Sequence, residues 1–369
     1  MDDAAAIDIL KLLIEKYPEA LQHEDTNRLL PIHFASGLGA RSPEFCRVLI
    51  EAYPGSERIT DVSGSLPLHH ACAYNYLATV EYLYMFHPDS ASHATTGGVY
   101  PIHIAIKRIA QKRGNPIHAV KVVQFLLECD PKVKLQKLED LSTLEGRSLL
   151  HFACQLKCKG SSILAHFEVI KAIYNAHPEA IEDNRIASGT HKFRQQVQSF
   201  ITSELVYARQ AKDHRLMITP DDNGQLPLHK ALRNNATLGS IKLLVKGNPS
   251  AIRTVDAKFA MPLHIACEHQ DSTTVVQHLL DADTRTLQAV DYDNNTPLHC
   301  ACRGAKYDTI ALLLETYGAV SVSKRNADKK FPINLLWESN EVSDRENLKY
   351  TESLFRLMRE YPEVVKISD

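Results

Sequence analysis

The sequence predicts an all-α solenoid of stacked helix-turn-helix units with extended tips, and three observations lead there. A seven-residue motif recurs eight times, as LPIHFAS (30–36), LPLHHAC (66–72), YPIHIAI (100–106), SLLHFAC (148–154), LPLHKAL (226–232), MPLHIAC (261–267), TPLHCAC (296–302) and FPINLLW (331–337). Counted from the proline position, the steps are 36, 34, 48, 78, 35, 35 and 35, so five are single units and two carry insertions. A second landmark, an apolar stretch ending in X-Pro, lies 13 residues before the motif proline in the pairs Pro18 and Pro31, Pro54 and Pro67, Pro88 and Pro101, Pro249 and Pro262. Such a period marks units that bury their apolar faces only against one another.

Each element follows from its residues. The first helix opens on the motif proline, whose missing N–H falls where a helix has no partner for it. The small Ala of His-x-Ala lets helices approach closely. The second helix carries apolar residues at helical spacing, as in Val80, Leu83 and Tyr84 or Ile310, Leu313 and Leu314. The next proline stops it. An Asp, Asn or Thr stands six residues before each motif proline position (Asp25, Asp61, Thr95, Thr143, Asp221, Asp256, Asp291, Asn326), and Gly64, Gly98, Gly146 and Gly224 stand three before it. This is turn chemistry: a short polar side chain to bond the backbone, then a residue free to take positive φ.

Pro-Leu-His-x-Ala, the Asp-x-x-Gly turn and the period together resemble the ankyrin repeat over most of the chain. The resemblance implies a single ankyrin-repeat solenoid over 1–369 with β-hairpin-like tips. It has an N-terminal half repeat at 1–24, then eight repeats at 25–60, 61–94, 95–142, 143–220, 221–255, 256–290, 291–325 and 326–369. Two departures stand out: only Thr296 keeps the Thr before Pro-Leu-His, and Pro replaces the usual Gly after the second helix. In the family that Thr hydroxyl bonds the motif His, so here the imidazoles are expected to rely on backbone partners.

The totals exclude several classes. A net charge of -2, from 42 basic and 44 acidic residues, gives no field to collect nucleic acid or anionic lipid. No apolar run reaches the length of a membrane span, and the N-terminus MDDAAAIDILKLLIEKYPEA opens with acids where a signal peptide carries cations. The eight cysteines lie in apolar helical stretches, which fits reduced thiols better than a disulfide framework. The expectation is an intracellular chain, cytoplasmic or nuclear, in which the glycosylation patterns at Asn235 and Asn294 are chance matches.

His299, next to Cys300 and near Cys302, raises the question of a chemical site. It belongs to a column with His33, His69, His103, His151, His229 and His264, and Asn334 takes the eighth place. One repeated position is not seven active sites. His and Asn share a compact side chain that both donates and accepts, suited to bridging the backbone of adjacent units. Cys72, Cys154, Cys267 and Cys302 recur three residues after the motif His, as small apolar fillers. No CxxC pair, phosphate-cradling glycine loop, G-x-S-x-G or H-E-x-x-H is present. No catalytic residue, metal, cofactor or small-molecule substrate is therefore expected. Glu139-Asp140 and Asp221-Asp222 read as solvated surface. Lys107, Arg108, Lys112 and Arg113 end a first helix, where cations are favoured anyway, and with Lys132, Lys134 and Lys137 they lack the aromatics of nucleic-acid binding.

A solenoid leaves a concave face, built from tips and the exposed side of the first helices. Specificity is expected where that face varies from copy to copy. After the motif His these positions hold His70, Tyr74, Lys230, Arg233, Asn234, Ile265, Glu268, His269, Cys300 and Arg303. On the tips they hold Tyr100, Gln225, Lys258, Phe259, Asp293, Asn294 and Lys329. Aromatics, arginine and both charge signs suit interface anchors. The expected function is a non-enzymatic scaffold or adaptor that binds other proteins, with no nucleic acid and no membrane insertion. The alternative is the recognition arm of a larger regulatory protein, a ligase adaptor or an enzyme regulatory subunit, whose effector lies outside these residues.

From Pro178 to Pro227 the chain runs 49 residues where 13 is the rule, with the excess at about 184–217. There Phe193, Val197, Phe200, Ile201, Leu205 and Ala208 fall on one helical stripe, with Lys192, Arg194, Arg209 and Lys212 off it. Two roles are open: this amphipathic helix lies on the array and covers its apolar edge, or it offers that face to a partner. Smaller additions fall near 107–117, 136–145, 156–164 and 338–346. The sequence opens inside a second helix, near Ala5 to Lys16, and stops seven residues after Pro362. Half-units acting as caps, the last one charged by Glu341, Asp344, Arg345, Glu346 and Lys349, or a piece of a longer array would both account for those ends.

Overall fold

The computed structural model describes residues 3–37, 42–74, 77–110, 116–129, 148–156, 158, 162–182, 186, 195–317, 322–339, 348–360 and 362. Among them every regular element is helical, and the chain divides into two units, Met1–Ile201 and Thr202–Asp369. Several residues singled out above lie outside the described set: Lys112, Arg113, Lys132, Lys134, Lys137, Glu139, Asp140, Thr143, Gly146, Lys192, Phe193, Arg194, Glu341, Asp344, Arg345 and Glu346.

The first unit contains α1 (Asp3–Lys16), α2 (Pro31–Gly37), α3 (Glu44–Ala52), α4 (Pro67–Tyr74), α5 (Leu77–Phe86), α6 (Pro101–Ala110), α7 (Pro116–Cys129), α8 (Leu149–Gln155) and α9 (Ser162–Ala176). Short helices α2, α4 and α6 begin on motif prolines and stack on one another, and each packs on the longer helix that follows it. Helices α1, α5 and α9 all stop before an X-Pro, and a 3-10 turn then starts on the proline at Pro18, Pro88 and Pro178.

The unit boundary falls within α10 (Gln195–Lys212). The second unit continues with α11 (His214–Ile218), α12 (Pro227–Arg233), α13 (Leu238–Gly247), α14 (Pro262–His269), α15 (Thr273–Ala282), α16 (Pro297–Arg303), α17 (Tyr307–Tyr317), α18 (Pro332–Glu338) and α19 (Leu348–Glu360). Here α12, α14, α16 and α18 form the inner row, in contact each with the next. Leu228, Ile241, Leu263, Leu279, Leu298, Ile310 and Leu336 share one buried cluster, so the repeated motif fills a repeated core. Gly304 marks how tightly the row is packed, since a Cβ there would stand 2.3 Å from the Glu268 carbonyl oxygen.

The tips are turns. Asp61 Oδ1 accepts from the N–H groups of Ser63 and Ser65 at 2.9 and 2.8 Å, and Asp221, Asp256 and Asp291 repeat the pattern. The third residue before the proline takes positive φ in every described tip: Gly64, Gly98 and Gly224 at 77°, 70° and 70°, but also Arg28, Phe259, Asn294 and Lys329 at 58°, 55°, 57° and 63°. Five tips each donate one backbone N–H to the tip before, from Val62 to Asn27, Thr96 to Ser63, Ala257 to Asn223, Tyr292 to Lys258 and Ala327 to Asp293, at 2.8 to 2.9 Å. The β-hairpin-like tips expected from the resemblance do not become strands among the described residues. The arms are too short to add further rungs to that single bond.

Of the two roles open for the inserted helix, the structure supports the first. Val197, Phe200, Ile201 and Ala208 of α10 are buried and Leu205 is half-buried. In the first unit the Phe200 ring meets Phe167 and Tyr174 edge-on at 5.4 and 5.8 Å. In the second, Glu204 is buried and accepts hydrogen bonds from Thr237 Oγ1 (2.8 Å) and from Ser240 Oγ. Thr237 is the N-cap of α13, so this carboxylate gains both hydroxyl donors and the positive end of a helix to offset its burial.

Candidate protein-binding groove

The frame of the site is the histidine column. Nδ1 of His33, His69, His229, His264 and His299 accepts the N–H of the residue three before it at 3.0 to 3.2 Å. Nε2 donates to a carbonyl 25 to 31 residues further along, just before or within the next tip: Ile59, Val99, Thr254, Ala289 and Lys330 at 3.1 to 3.2 Å. These are the backbone partners expected where the Thr is missing. At Thr296, where it is kept, the hydroxyl adds a 2.8 Å bond to His299 Nδ1. His151 departs from the pattern, its Nε2 lying 2.9 Å from Gln155 Nε2. Burial holds His69, His103 and His299 down at about 4 and lowers His33, His229 and His264 as well, so the imidazoles are neutral spacers at neutral pH.

Six of the cysteines are equally inert. None of the eight is in a disulfide, and burial pushes the Cys46 and Cys154 thiols up to about 12 and those of Cys72, Cys267, Cys300 and Cys302 further still. A thiol held protonated is neither nucleophile nor ligand. Among the described residues no three His, Cys, Asp or Glu side chains converge to hold a metal, and no helix is long and apolar enough to cross a membrane.

On this frame the second unit carries a groove of about 440 Å³, floored by Ile265 and Cys300 and walled by α12, α14 and α16 with the tips that precede α14 and α16. Six of the residues chosen from the sequence line it: Arg233, Lys258, Glu268, His269, Asp293 and Arg303. Arg303 grips Glu268 of the preceding repeat through Nε and Nη2 at 2.9 and 2.8 Å, and this contact holds the guanidinium further above its usual range. Arg233 reaches Asp256 of the following tip at 2.9 Å. Burial lowers His269, which lies 4.0 Å from Glu268. Such half-exposed pairs add only about 0 to 1 kcal/mol of stability each, and their effect here is to fix guanidinium planes along a groove.

The other chosen residues are distributed differently. Phe259 is exposed on the tip that carries Lys258, stacked on Tyr292 with 6.4 Å between centroids. Asn294 and Lys329 hold the same positive-φ slot on the next two tips, both exposed. Lys230 pairs with Asp221 at 2.9 Å, Gln225 supplies a backbone N–H to that same carboxylate, and Asn234 is the exposed C-cap of α12. Three belong to the first unit. His70 bonds Asp61 at 3.1 Å and meets His33 edge-on, Tyr74 lies under the Arg108 guanidinium at 5.3 Å, and Tyr100 stands 5.8 Å from His103. Ile265 and Cys300, variable in sequence, are buried as floor.

Sequence reasoning passed over Tyr292 and Asp291, both of which line the groove. The signal for Tyr292 was present: the place after the tip Asp holds Thr96, Ala257 or Ala327 in other copies, and an aromatic only here.

A family model for ankyrin repeats (3 copies) matches residues 3–96 and 228–326. No curated protein matches the chain. Repeats of this kind are protein–protein interaction modules. With more than half of its length under that match, and with helices, tips and histidine bonds repeating in register, the chain belongs to the ankyrin-repeat family.

Proposed function

We propose that the chain is a non-enzymatic scaffold or adaptor of eight repeats and a half, and that it binds partner proteins in the groove of its second unit. One observation carries this: positions picked only for varying between copies, Arg233, Lys258, Glu268, His269, Asp293 and Arg303, line a single groove on an invariant frame. The groove suits a polypeptide better than a reaction, because both ring nitrogens of His264 are taken by the backbone and the Cys300 thiol is held protonated by burial. An intracellular place, cytoplasmic or nuclear, follows from the free buried thiols.

The test is affinity capture with the whole chain, repeated with Arg233→Ala and Arg303→Ala combined, and with Lys349→Ala and Arg356→Ala on α19 as the control. Partners are expected to be lost from the groove variant and retained by the control. If every captured protein binds the groove variant as well as the parent, the groove is not the binding face.

A further inference from the structure

We infer that the tips flanking the groove form a recognition point for an arginine side chain on the partner polypeptide, built from the rings of Phe259 and Tyr292 with the carboxylates of Asp291 and Asp293. This inference rests on the groove being the binding face.

Four observations lead to it. Phe259 occupies the slot that Gly64, Gly98 and Gly224 fill in other tips, at φ 55°. A bulky side chain in the left-handed region costs roughly 1 to 2 kcal/mol, which the glycine of other tips avoids. Nor is the ring buried: Phe259 is 57% exposed and Tyr292 73% exposed, two large rings within 24° of parallel and 6.4 Å apart. Third, the backbone that carries both rings is pinned. The Phe259 N–H donates to the Asp256 carbonyl at 2.9 Å, Asp256 Oδ1 accepts from Lys258 and Ala260, and the Tyr292 N–H donates to the Lys258 carbonyl at 2.9 Å. Fourth, the charges are unevenly satisfied. The guanidinia of Arg303 and Arg233 are already paired with Glu268 and Asp256, whereas Asp291 and Asp293 make no ion pair among the described residues. Asp291 interacts electrostatically with Arg303, but that guanidinium is already gripped by Glu268.

Exposed ring faces attract a cation, and a guanidinium best of all, because it can stack flat while its N–H groups reach a carboxylate. A lone lysine ammonium would keep more of its water and gain less from the rings. An acidic partner segment would meet Asp291 and Asp293 without relief.

Peptides selected on the immobilised whole chain from a random display library provide the test. Selected peptides are expected to be rich in arginine. Replacing that arginine with citrulline, its neutral counterpart, should weaken binding to the parent chain by about three- to thirtyfold. The same replacement should change little against a Phe259→Gly, Tyr292→Ser variant. Gly fits the slot, so the variant is expected to melt no lower than the parent, which separates loss of recognition from loss of fold. Peptides that depend on Arg303 but lose nothing with citrulline, or lose as much on the variant, would overturn the arginine site and leave the groove standing. Peptides indifferent to Arg233→Ala, Arg303→Ala and the ring variant alike would overturn both.

Discussion

Mild acid should destabilise this chain through its histidine column. His69, His103 and His299 sit at about 4 instead of 6.5 because burial opposes their charging. Below about pH 6.5 the unfolded chain takes up protons that the folded chain refuses, so stability rises with pH across that window. The contribution is complete above 6.5 and is lost as pH falls toward 4. Between about pH 7.5 and 5, each such histidine removes roughly 2 kcal/mol. His69 and His103 belong to the first unit and His299 to the second, so the losses are roughly 4 and 2 kcal/mol. His33, His229 and His264 add the same sign. Against a domain stability of about 5 to 15 kcal/mol that is a large fraction. Hydrogen bonds from Lys230 and the tip backbone hold the Asp221 carboxylate below its usual range, outside this window. Urea unfolding followed by circular dichroism at the two pH values should show a clear drop in midpoint at the lower one. Imidazole NMR signals of the three residues should stay in the neutral form. An unchanged midpoint, or imidazoles titrating near 6.5, would refute the neutral-spacer account.

Other perturbations probe other contacts. Gly304→Ala forces a Cβ onto the Glu268 carbonyl, 2.3 Å away, and should lower the stability of the second unit by about 1 to 3 kcal/mol in thermal melts; an unshifted melt would mean the row has slack. Thr296→Val keeps the shape but removes the hydroxyl on His299 Nδ1, for an expected loss of about 1 kcal/mol by urea titration, while a neutral result would make that bond redundant. Glu204→Ala strips Thr237 and Ser240 of their acceptor, so stability should fall by about 1 to 3 kcal/mol. Trypsin should then cut faster at Arg209 and Lys212; equal cleavage rates would show that the carboxylate does not hold α10.

Much of the frame was legible because it repeats. Pro31, Pro67 and Pro101 start helices where the spacing places them, and the motif histidines take the backbone partners that the missing Thr implied. The groove was partly legible, since variation against a fixed frame singles out surface, as at Arg233, Glu268 and Arg303. Burial was harder to read. Ile265 and Cys300 vary like surface residues yet form the floor, because their helix faces a neighbour there. The positive-φ slot was visible only where glycine fills it, so Arg28, Phe259, Asn294 and Lys329 concealed it. The inserted helix showed its stripe but not what covers it, which depended on a polar contact, Glu204 with Thr237, that apolar periodicity does not encode.

One feature of the tips governs how such a chain can change. Every copy keeps six residues from its tip Asp, Asn or Thr to the proline position, even where steps between copies stretch to 48 or 78. Five described tips are bonded to the tip before them through a backbone N–H, as from Tyr292 to Lys258, so an added residue there would misalign the neighbours on both sides. Innovation in length is therefore driven into the loops and the inserted helix, while innovation in specificity is left to side-chain exchange along an unchanging ruler.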